Sequence, residues 1–306
     1  MKNEHKPKYP VYVISKGRFK GNLTAKFLIE DKVDFHLVVE PQEAEEYKSR
    51  YGEHRVLVLP FSNLGKGSIP ARNWVWEHSI KVGAERHWIL DDNIKMIRRL
   101  HHQKRIRCNA NNALRASEDF TDRYENIGIA GLNYTFFAVN KLKPFVLNVH
   151  VYSTLLIKND LPYRWRGKYN EDTDLCLQVL SGKWCTILLN AFLIDKAATM
   201  TVKGGNFTEL YKGDGRLDMA NSLKRLWPKV VDVHRRFGRP QHKIKKQWAY
   251  FDTPLIKKKD INISKESNNY GLKLKAVEEV KSKELQKLVQ QYNSNQKLSY
   301  NHYPLH

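Results

Sequence analysis

Apolar runs alternate with polar turns along the first 95 residues in a regular way. Four runs rich in β-branched, leucine and aromatic residues predict strands: 9–14, 35–39, 56–59 and 86–90. The segments between them predict helices: 22–31, one that opens at Pro41, and 70–82. Strands that alternate with helices form βαβ units. The pattern therefore predicts an α/β fold with a mostly parallel, Rossmann-like sheet and flanking helices.

The rest of the chain has a less regular pattern. Further strands are predicted from apolar stretches at 127–139, 145–157 and 185–194, and helices at 171–180 and 272–292. Residues 212–260 contain 14 Lys and Arg against 5 Asp and Glu, together with several aromatic residues. We expect an α/β domain, a basic C-terminal extension that completes the site, and an amphipathic helix with a polar tail: residues 1–205, 206–262 and 263–306.

Charge narrows the choice of partner. The 306 residues include 53 Lys and Arg against 32 Asp and Glu, for a formal net charge of +21. Such an excess favours a polyanion, and nucleic acid is the partner we expect. Three cysteines without metal-binding spacing suit a reducing compartment. No signal-peptide pattern and no apolar run of membrane-spanning length are visible, so we expect a cytoplasmic protein without membrane association.

The most informative motif is the end of the fourth predicted strand, where Asp91, Asp92 and Asn93 follow the apolar residues 88–90. Ligands of α/β proteins bind at the carboxyl ends of parallel strands. Oxygen side chains at such a place suit a hard divalent cation, which often shares its ligands with phosphates. Asp and Asn are also common helix caps, so the same residues have an ordinary structural explanation.

A second acidic group lies at 169–174, at the start of a predicted helix. Carboxylates there are favoured by the helix dipole whatever their function. The functional alternative is a general base, because an alcohol needs a carboxylate within hydrogen-bonding distance to act as a nucleophile at neutral pH. Polar residues near the early strand ends could hold a diphosphate or a nucleobase: Ser15, Arg18, Glu40, Arg72 and Asn73. His234 is a candidate third metal ligand.

Taken together and in order, these motifs resemble a known family. They are Ser-x-Gly-Arg at 15–18, Val-Glu-Pro at 39–41, Ile-Pro-Ala-Arg-Asn at 69–73, Ile-Leu-Asp-Asp-Asn at 89–93, Tyr-Asn-Glu-Asp-Thr-Asp at 169–174, and the stretch 227–240. The set is similar to GT-A fold glycosyltransferases. More narrowly, it resembles the phage TET-associated glycosyltransferases, which act on hydroxymethylated pyrimidines in DNA.

The resemblance implies a GT-A domain that uses a UDP-sugar with Mn²⁺ or Mg²⁺. It implies Asp172 as the catalytic base, with Glu171 as the alternate. It assigns the nucleotide sugar and the metal to two further sets of residues: Ser15, Arg18, Glu40, Arg72, Asn73, Asp91 and Lys203 for the first, and Asp92, Asn93 and His234 for the second. The first acidic motif reads Asp-Asp-Asn rather than Asp-x-Asp, which leaves the metal-contacting side chains open.

Three functions are compatible with these observations. The leading one is metal-dependent transfer of a sugar to 5-hydroxymethylcytosine in DNA, with the base extruded from the duplex. Basic stretches at 95–107 and 216–259 would then follow the phosphate backbone, although solvated charge explains each residue equally well. The alternatives are a GT-A enzyme with a polysaccharide, lipid or protein acceptor, and a non-catalytic nucleic-acid-binding protein.

Overall fold

The structure is a computed structural model that describes residues 5–101, 104–138, 143–167, 169–197, 215–236, 238–248 and 250–261. Its strands are β1 (Val11–Ile14), β2 (His36–Val39), β3 (Val56–Val58), β4 (Arg86–Asp91), β5 (Ile94–His101), β6 (Lys104–Cys108), β7 (Ile127–Tyr134), β8 (Phe145–Leu147), β9 (Thr154–Lys158), β10 (Cys185–Lys196), β11 (Val231–Arg236) and β12 (Arg239–Ile244). The helices are α1 (Leu23–Glu30), α2 (Ala44–Tyr51), α3 (Ile69–Lys81), α4 (Ala110–Thr121), α5 (Glu171–Ser181) and α6 (Gly215–Leu226).

The first four strands of the central sheet are parallel and confirm the predicted α/β class. They lie in the order β3-β2-β1-β4. The helices α1, α2 and α3 occupy the connections between them, as βαβ units require. This order places the carboxyl ends of β1, β2 and β4 along one edge of the sheet, and the polar residues that follow these strands meet there.

Beyond β4 the sheet is mixed. It continues β9-β7-β10-β5-β6, with β9 antiparallel to both β4 and β7, and β10 parallel to β7. One half of β10 pairs with β8 and the other half pairs with β5. The final residue of β10, Lys196, therefore lies at the same edge as Asp91, the final residue of β4.

The predicted strand 145–157 is two strands, β8 and β9. The segment between them leaves the extended conformation because Asn148 and Ser153 have positive φ angles of 56° and 63°. This break matters for the site because it carries His150 and Tyr152.

Helix α4 was not predicted from the sequence. It begins after Asn109, whose side chain accepts a hydrogen bond from Asn111 N and caps the helix.

Helix α5 joins the C-terminal residues to the sheet. Leu177 and Leu180 pack with Leu223 of α6, Val231 of β11 and Ile244 of β12 in one buried cluster. The basic, aromatic-rich part predicted at 206–262 thus contains a helix and a β-hairpin where it is described. The helix predicted at 272–292 lies outside the described residues. Within the described residues, no helix has both the length and the apolar character needed to cross a bilayer.

Close packing of β7 against β9 gives a test of the sheet. A Cβ atom on Gly131 would lie 2.2 Å from the carbonyl oxygen of Thr154 and 2.3 Å from Val151 Cγ1. We expect Gly131→Ala to lower the free energy of unfolding by about 2 kcal/mol, as overpacking typically does. Thermal unfolding measures the effect. The matched control is Gly21→Ala, whose added Cβ meets nothing within 4 Å. Equal melting temperatures for the two variants would contradict this register.

Candidate active site

Ser15, directly after β1, anchors the acidic turn to the sheet edge. Its hydroxyl donates to Asp92 Oδ2 at 2.8 Å and lies 2.7 Å from the hydroxyl of Tyr47 in α2. Tyr47 in turn accepts from the backbone N–H of Arg18 at 3.1 Å. Since Ser15 gives its proton to Asp92, Tyr47 is the donor in the Ser15–Tyr47 bond. The chain after β1 is therefore tied both to α2 and to the turn after β4.

Cationic side chains surround the two aspartates. Asp91 lies 2.6 Å from Lys196 Nζ through Oδ2 and 3.3 Å from Arg72 Nη2 through Oδ1. Asp92 forms an ion pair with Arg18 through Oδ1. Burial acts to raise the pKa of Asp91, but the charges of Lys196 and Arg72 hold it below its usual range. For Asp92, burial outweighs the charge of Arg18 and raises the pKa.

Arg72 joins this group to the second acidic motif. Its guanidinium stacks on the ring of Trp165 at 4.6 Å, donates from Nε to Ser68 Oγ at 3.1 Å, and lies 3.7 Å from Glu171 Oε1. Ser68 completes the link by donating to Glu171 Oε1 at 2.9 Å. Burial raises the pKa of Glu171. Ser68 and Glu171, 103 positions apart in the sequence, thus belong to one continuous site, because α3 and α5 both begin at the sheet edge.

Asp172 points to a different group of side chains. Its Oδ2 lies 3.3 Å from His150 Nε2, and its Oδ1 accepts from the backbone N–H of Thr173 at 2.8 Å. Burial acts to raise the pKa of Asp172, but His150 holds it well below its usual range, so the carboxylate is ionised at neutral pH. The imidazole stacks on Trp248 at 6.1 Å and meets Tyr152 edge-on at 5.0 Å. Asp172 therefore lies beside His150, whose ring packs against the aromatic rings of Tyr152 and Trp248.

Lys196 and His150 belong to this site although no prediction from the sequence included them. A signal for Lys196 existed, since it ends the long apolar run of β10 as Asp91 ends that of β4. Lys196 also contacts Ser153 Oγ at 2.8 Å and the Tyr134 hydroxyl at 3.4 Å. His150 carried no comparable signal, because the break between β8 and β9 is not visible in the apolar pattern.

Other predicted residues lie at the margin of this group. Glu40 bonds to Lys16, Gln42 and the backbone N–H of Asn63. The Asn73 amide is engaged by Trp165, donating to its carbonyl at 2.9 Å and accepting from its N–H at 3.0 Å. Lys203 lies outside the described residues.

His234 lies on β11, and its buried Nδ1 has no partner among the described residues. The pKa of His242 is lowered by burial first, and then by the charges of His150 and His234. His234 lies opposite Gln241 of β12, one position from the residue that faces His242. In the part of the chain that the structure describes, His234 and Asp92 do not belong to any group of three His, Cys, Asp or Glu side chains placed to hold a metal.

This arrangement does not fit a divalent cation. All four carboxylate oxygens of Asp91 and Asp92 are held by donors of the chain: Lys196, Arg72, Arg18 and Ser15. The side-chain oxygen of Asn93 is buried and has no hydrogen-bond partner among the described residues, but one amide oxygen is a poor site for a metal ion. Among the described residues, no group of three His, Cys, Asp or Glu side chains is placed to hold a metal. A metal ion would have to compete with one of these donors for its oxygen ligand.

An α/β sheet with cations and acids at the carboxyl edge of its parallel strands is the architecture of an α/β ligand-binding enzyme. The model of the TET-associated glycosyltransferase family matches residues 9–205. The chain belongs to this family, and it is a glycosyltransferase with a nucleotide-sugar donor. The resemblance expected from the motifs is confirmed, while the individual site residues stay predictions.

The comparison with solved structures adds a likeness to a protein from Desulfovibrio desulfuricans G20 that carries a provisional assignment as a nucleotide-diphospho-sugar transferase. The two chains are 12% identical over 60% of this chain and 80% of the other, with a TM-score of 0.35. No further conclusion rests on a likeness of this size. No curated protein matches the chain in sequence.

The contacts of Asn73 predict a structural role for this residue. Asn73→Ala leaves the N–H and carbonyl of the buried Trp165 without partners, which costs about 1–3 kcal/mol. We expect a lower melting temperature in thermal unfolding and, well below that temperature, a change of less than tenfold in UDP affinity by calorimetry. An unchanged melting temperature together with lost UDP binding would instead place Asn73 in contact with the nucleotide.

Proposed function

We propose that this protein transfers a sugar from a UDP-sugar to the hydroxymethyl group of 5-hydroxymethylcytosine in DNA. Family membership supports glycosyl transfer, and the acceptor is the step that we add. The observation that carries it is the pair of Asp172 and His150 set beside the rings of Tyr152 and Trp248. A planar base that carries an alcohol matches both features, since the rings can stack it and the carboxylate can accept the proton of the alcohol.

The donor diphosphate has three cationic partners available in this site: Arg18, Arg72 and Lys196. Arginine suits phosphate oxygens because its planar group donates two parallel hydrogen bonds. Positive charge placed where the leaving diphosphate develops its charge stabilises the transition state. We expect these side chains to exchange part of their contacts with Asp91 and Asp92 for contacts with the diphosphate when the donor binds.

Acceptor activation is assigned to Asp172. The hydroxymethyl oxygen forms a bond to the anomeric carbon of the sugar, the bond from that carbon to the diphosphate breaks, and UDP leaves. The proton of the alcohol passes to the ionised Asp172, whose orientation is held by His150 and the N–H of Thr173. Glu171, the alternate base, contacts Arg72 and Ser68 and so lies on the donor side.

DNA as the acceptor polymer is supported by charge. The hairpin of β5 and β6 contains six Lys and Arg and no acid between Ile94 and Cys108, within a chain of net charge +21. Cationic side chains that replace counterions along DNA contribute most of non-specific affinity and make it depend on salt. The proposal places the reaction in the cytoplasm, that of a host cell if a phage encodes the protein.

The direct test incubates the protein with duplex DNA that contains 5-hydroxymethylcytosine and a panel of UDP-sugars, followed by mass spectrometry of the nucleosides. A mass increase of one sugar on hydroxymethylcytosine is the expected result. DNA with 5-methylcytosine is the control, because it lacks only the accepting oxygen. Transfer to a polysaccharide, lipid or protein with none to DNA would refute the proposed acceptor and leave the glycosyltransferase assignment intact.

Asp172→Asn is expected to reduce transfer at least a hundredfold, since the amide cannot accept the proton, while calorimetry shows UDP affinity within about threefold of the original. The matched control is Asp160→Asn. Asp160 pairs with Lys158, which lies opposite Arg86 at the other end of β4 from Asp91. Full turnover by Asp172→Asn would refute the assignment of the base.

The cationic contacts also predict how the donor binds without metal. We expect UDP to bind in EDTA with an affinity within tenfold of that in Mn²⁺, and Lys196→Met to weaken it at least tenfold. Lys158→Met is the control because that lysine lies at the opposite edge of the sheet. Calorimetry in both buffers measures the affinities. Binding that requires Mn²⁺ would restore the metal role implied by the resemblance for Asp92, Asn93 and His234.

A further inference from the structure

The turn after β7 displays two phenylalanine rings to solvent. Phe136 is 87% exposed, the highest value among the large hydrophobic side chains of the described residues, and Phe137 is 54% exposed. The turn is ordered by hydrogen bonds from Phe137 N and Ala138 N to the carbonyl of Tyr134, at 3.0 and 3.2 Å. Burial in the fold does not account for the Phe136 ring, which is mostly exposed and whose ring contact within the described part of the chain is with Phe137.

These rings begin an aromatic path that leads to Asp172. Phe136 meets Phe137 at 5.6 Å, and Phe137 stacks on Tyr134 at 5.5 Å. Tyr134 contacts Tyr152 at 4.4 Å, and Tyr152 contacts His150, the partner of Asp172, at 5.0 Å. The exposed end of the path is thus connected to the proposed base through rings in mutual contact.

The same path borders the donor side of the site. The Tyr134 hydroxyl lies 2.5 Å from Ser153 Oγ and 3.4 Å from Lys196 Nζ, and Lys196 binds Asp91. The aromatic path therefore runs between the cations assigned to the diphosphate and the carboxylate assigned to the acceptor. A nucleobase that moves along it would arrive where both reacting groups meet.

A basic hairpin adjoins the exposed end of the path. Arg105 of β6 donates to the carbonyl of Ala138, which ties the hairpin to the turn. Lys95, Lys104 and Arg107 on the two strands of this hairpin are exposed to solvent. A protruding aromatic ring beside solvent-exposed cations matches duplex DNA, which has a stacked interior between two phosphate backbones.

We propose that Phe136 is a wedge that inserts into the duplex beside the acceptor base and occupies the place that the base leaves. This inference rests on the proposed function. A base stacked inside a duplex cannot bring its hydroxymethyl group to Asp172, so it must be extruded. An aromatic side chain in the stack replaces lost stacking and keeps the extruded base from returning, while Phe137 and Tyr134 line the path to Asp172.

The wedge is needed only when the acceptor is stacked in a duplex. Phe136→Ala is expected to lower the transfer rate on duplex DNA at least tenfold and to leave the rate on a single-stranded oligonucleotide of the same sequence within twofold. Phe136→Trp is expected to keep most of the duplex activity, since an indole can also stack. The control is Val82→Ala, another exposed apolar residue, 57% accessible, beyond the end of α3 opposite to Arg72.

A second readout does not depend on transfer. With 2-aminopurine next to the hydroxymethylcytosine of a duplex, binding of the original protein should raise fluorescence at least threefold, and binding of Phe136→Ala should not. Equal loss on single-stranded and duplex DNA, or an unchanged fluorescence rise in Phe136→Ala, would overturn the wedge. Absence of transfer to either DNA by the original protein would refute the proposed function, while a fluorescence rise that depends on Phe136 would still support insertion.

Discussion

The site depends on a buried guanidinium, that of Arg72. A charge removed from water must be matched by opposite charge and hydrogen bonds, or folding becomes costly. Arg72 is 8% exposed and is matched by Asp91 and Glu171, with Ser68 as a neutral partner and Trp165 beneath its plane. Because these groups come from β4, α5 and α3, the burial of one side chain determines how three elements meet at the sheet edge.

Helix geometry separates the two carboxylates at the start of α5. Glu171 and Asp172 are adjacent, yet successive residues of an α-helix point about 100° apart. Glu171 consequently faces Arg72, whereas Asp172 faces His150. Their pKa values move in opposite directions: burial raises the pKa of Glu171, whereas at Asp172 the effect of burial is outweighed by His150 together with Arg72 and the N–H of Thr173, which lower the pKa. Two neighbouring carboxylates therefore have different surroundings, which the proposed function assigns to a donor side and an acceptor side.

Charge balance relates the site to its substrate. Asp91, Asp92 and Glu171 are matched by the cations Arg18, Arg72 and Lys196. In the proposed function, a diphosphate that enters competes with these carboxylates for the same donors, so its affinity reflects the difference between two sets of ion pairs. The net positive charge of the chain is what the proposed function uses to hold a polyanionic acceptor.

The hydrophobic pattern of the sequence was sufficient to predict much of the fold and part of the candidate site. The apolar runs predict β1 to β4 and their helices, and strand ends in a parallel sheet share one edge, so Ser15, Asp91 and Asp92 are predicted to meet. Family membership also follows from the order of the motifs.

Tertiary structure alone decided that Lys196 reaches Asp91, that His150 reaches Asp172 and that Asn73 binds Trp165. These contacts join residues 22 to 105 positions apart, and their formation depends on strand register, positive φ angles and charge burial, which hydrophobic periodicity does not encode.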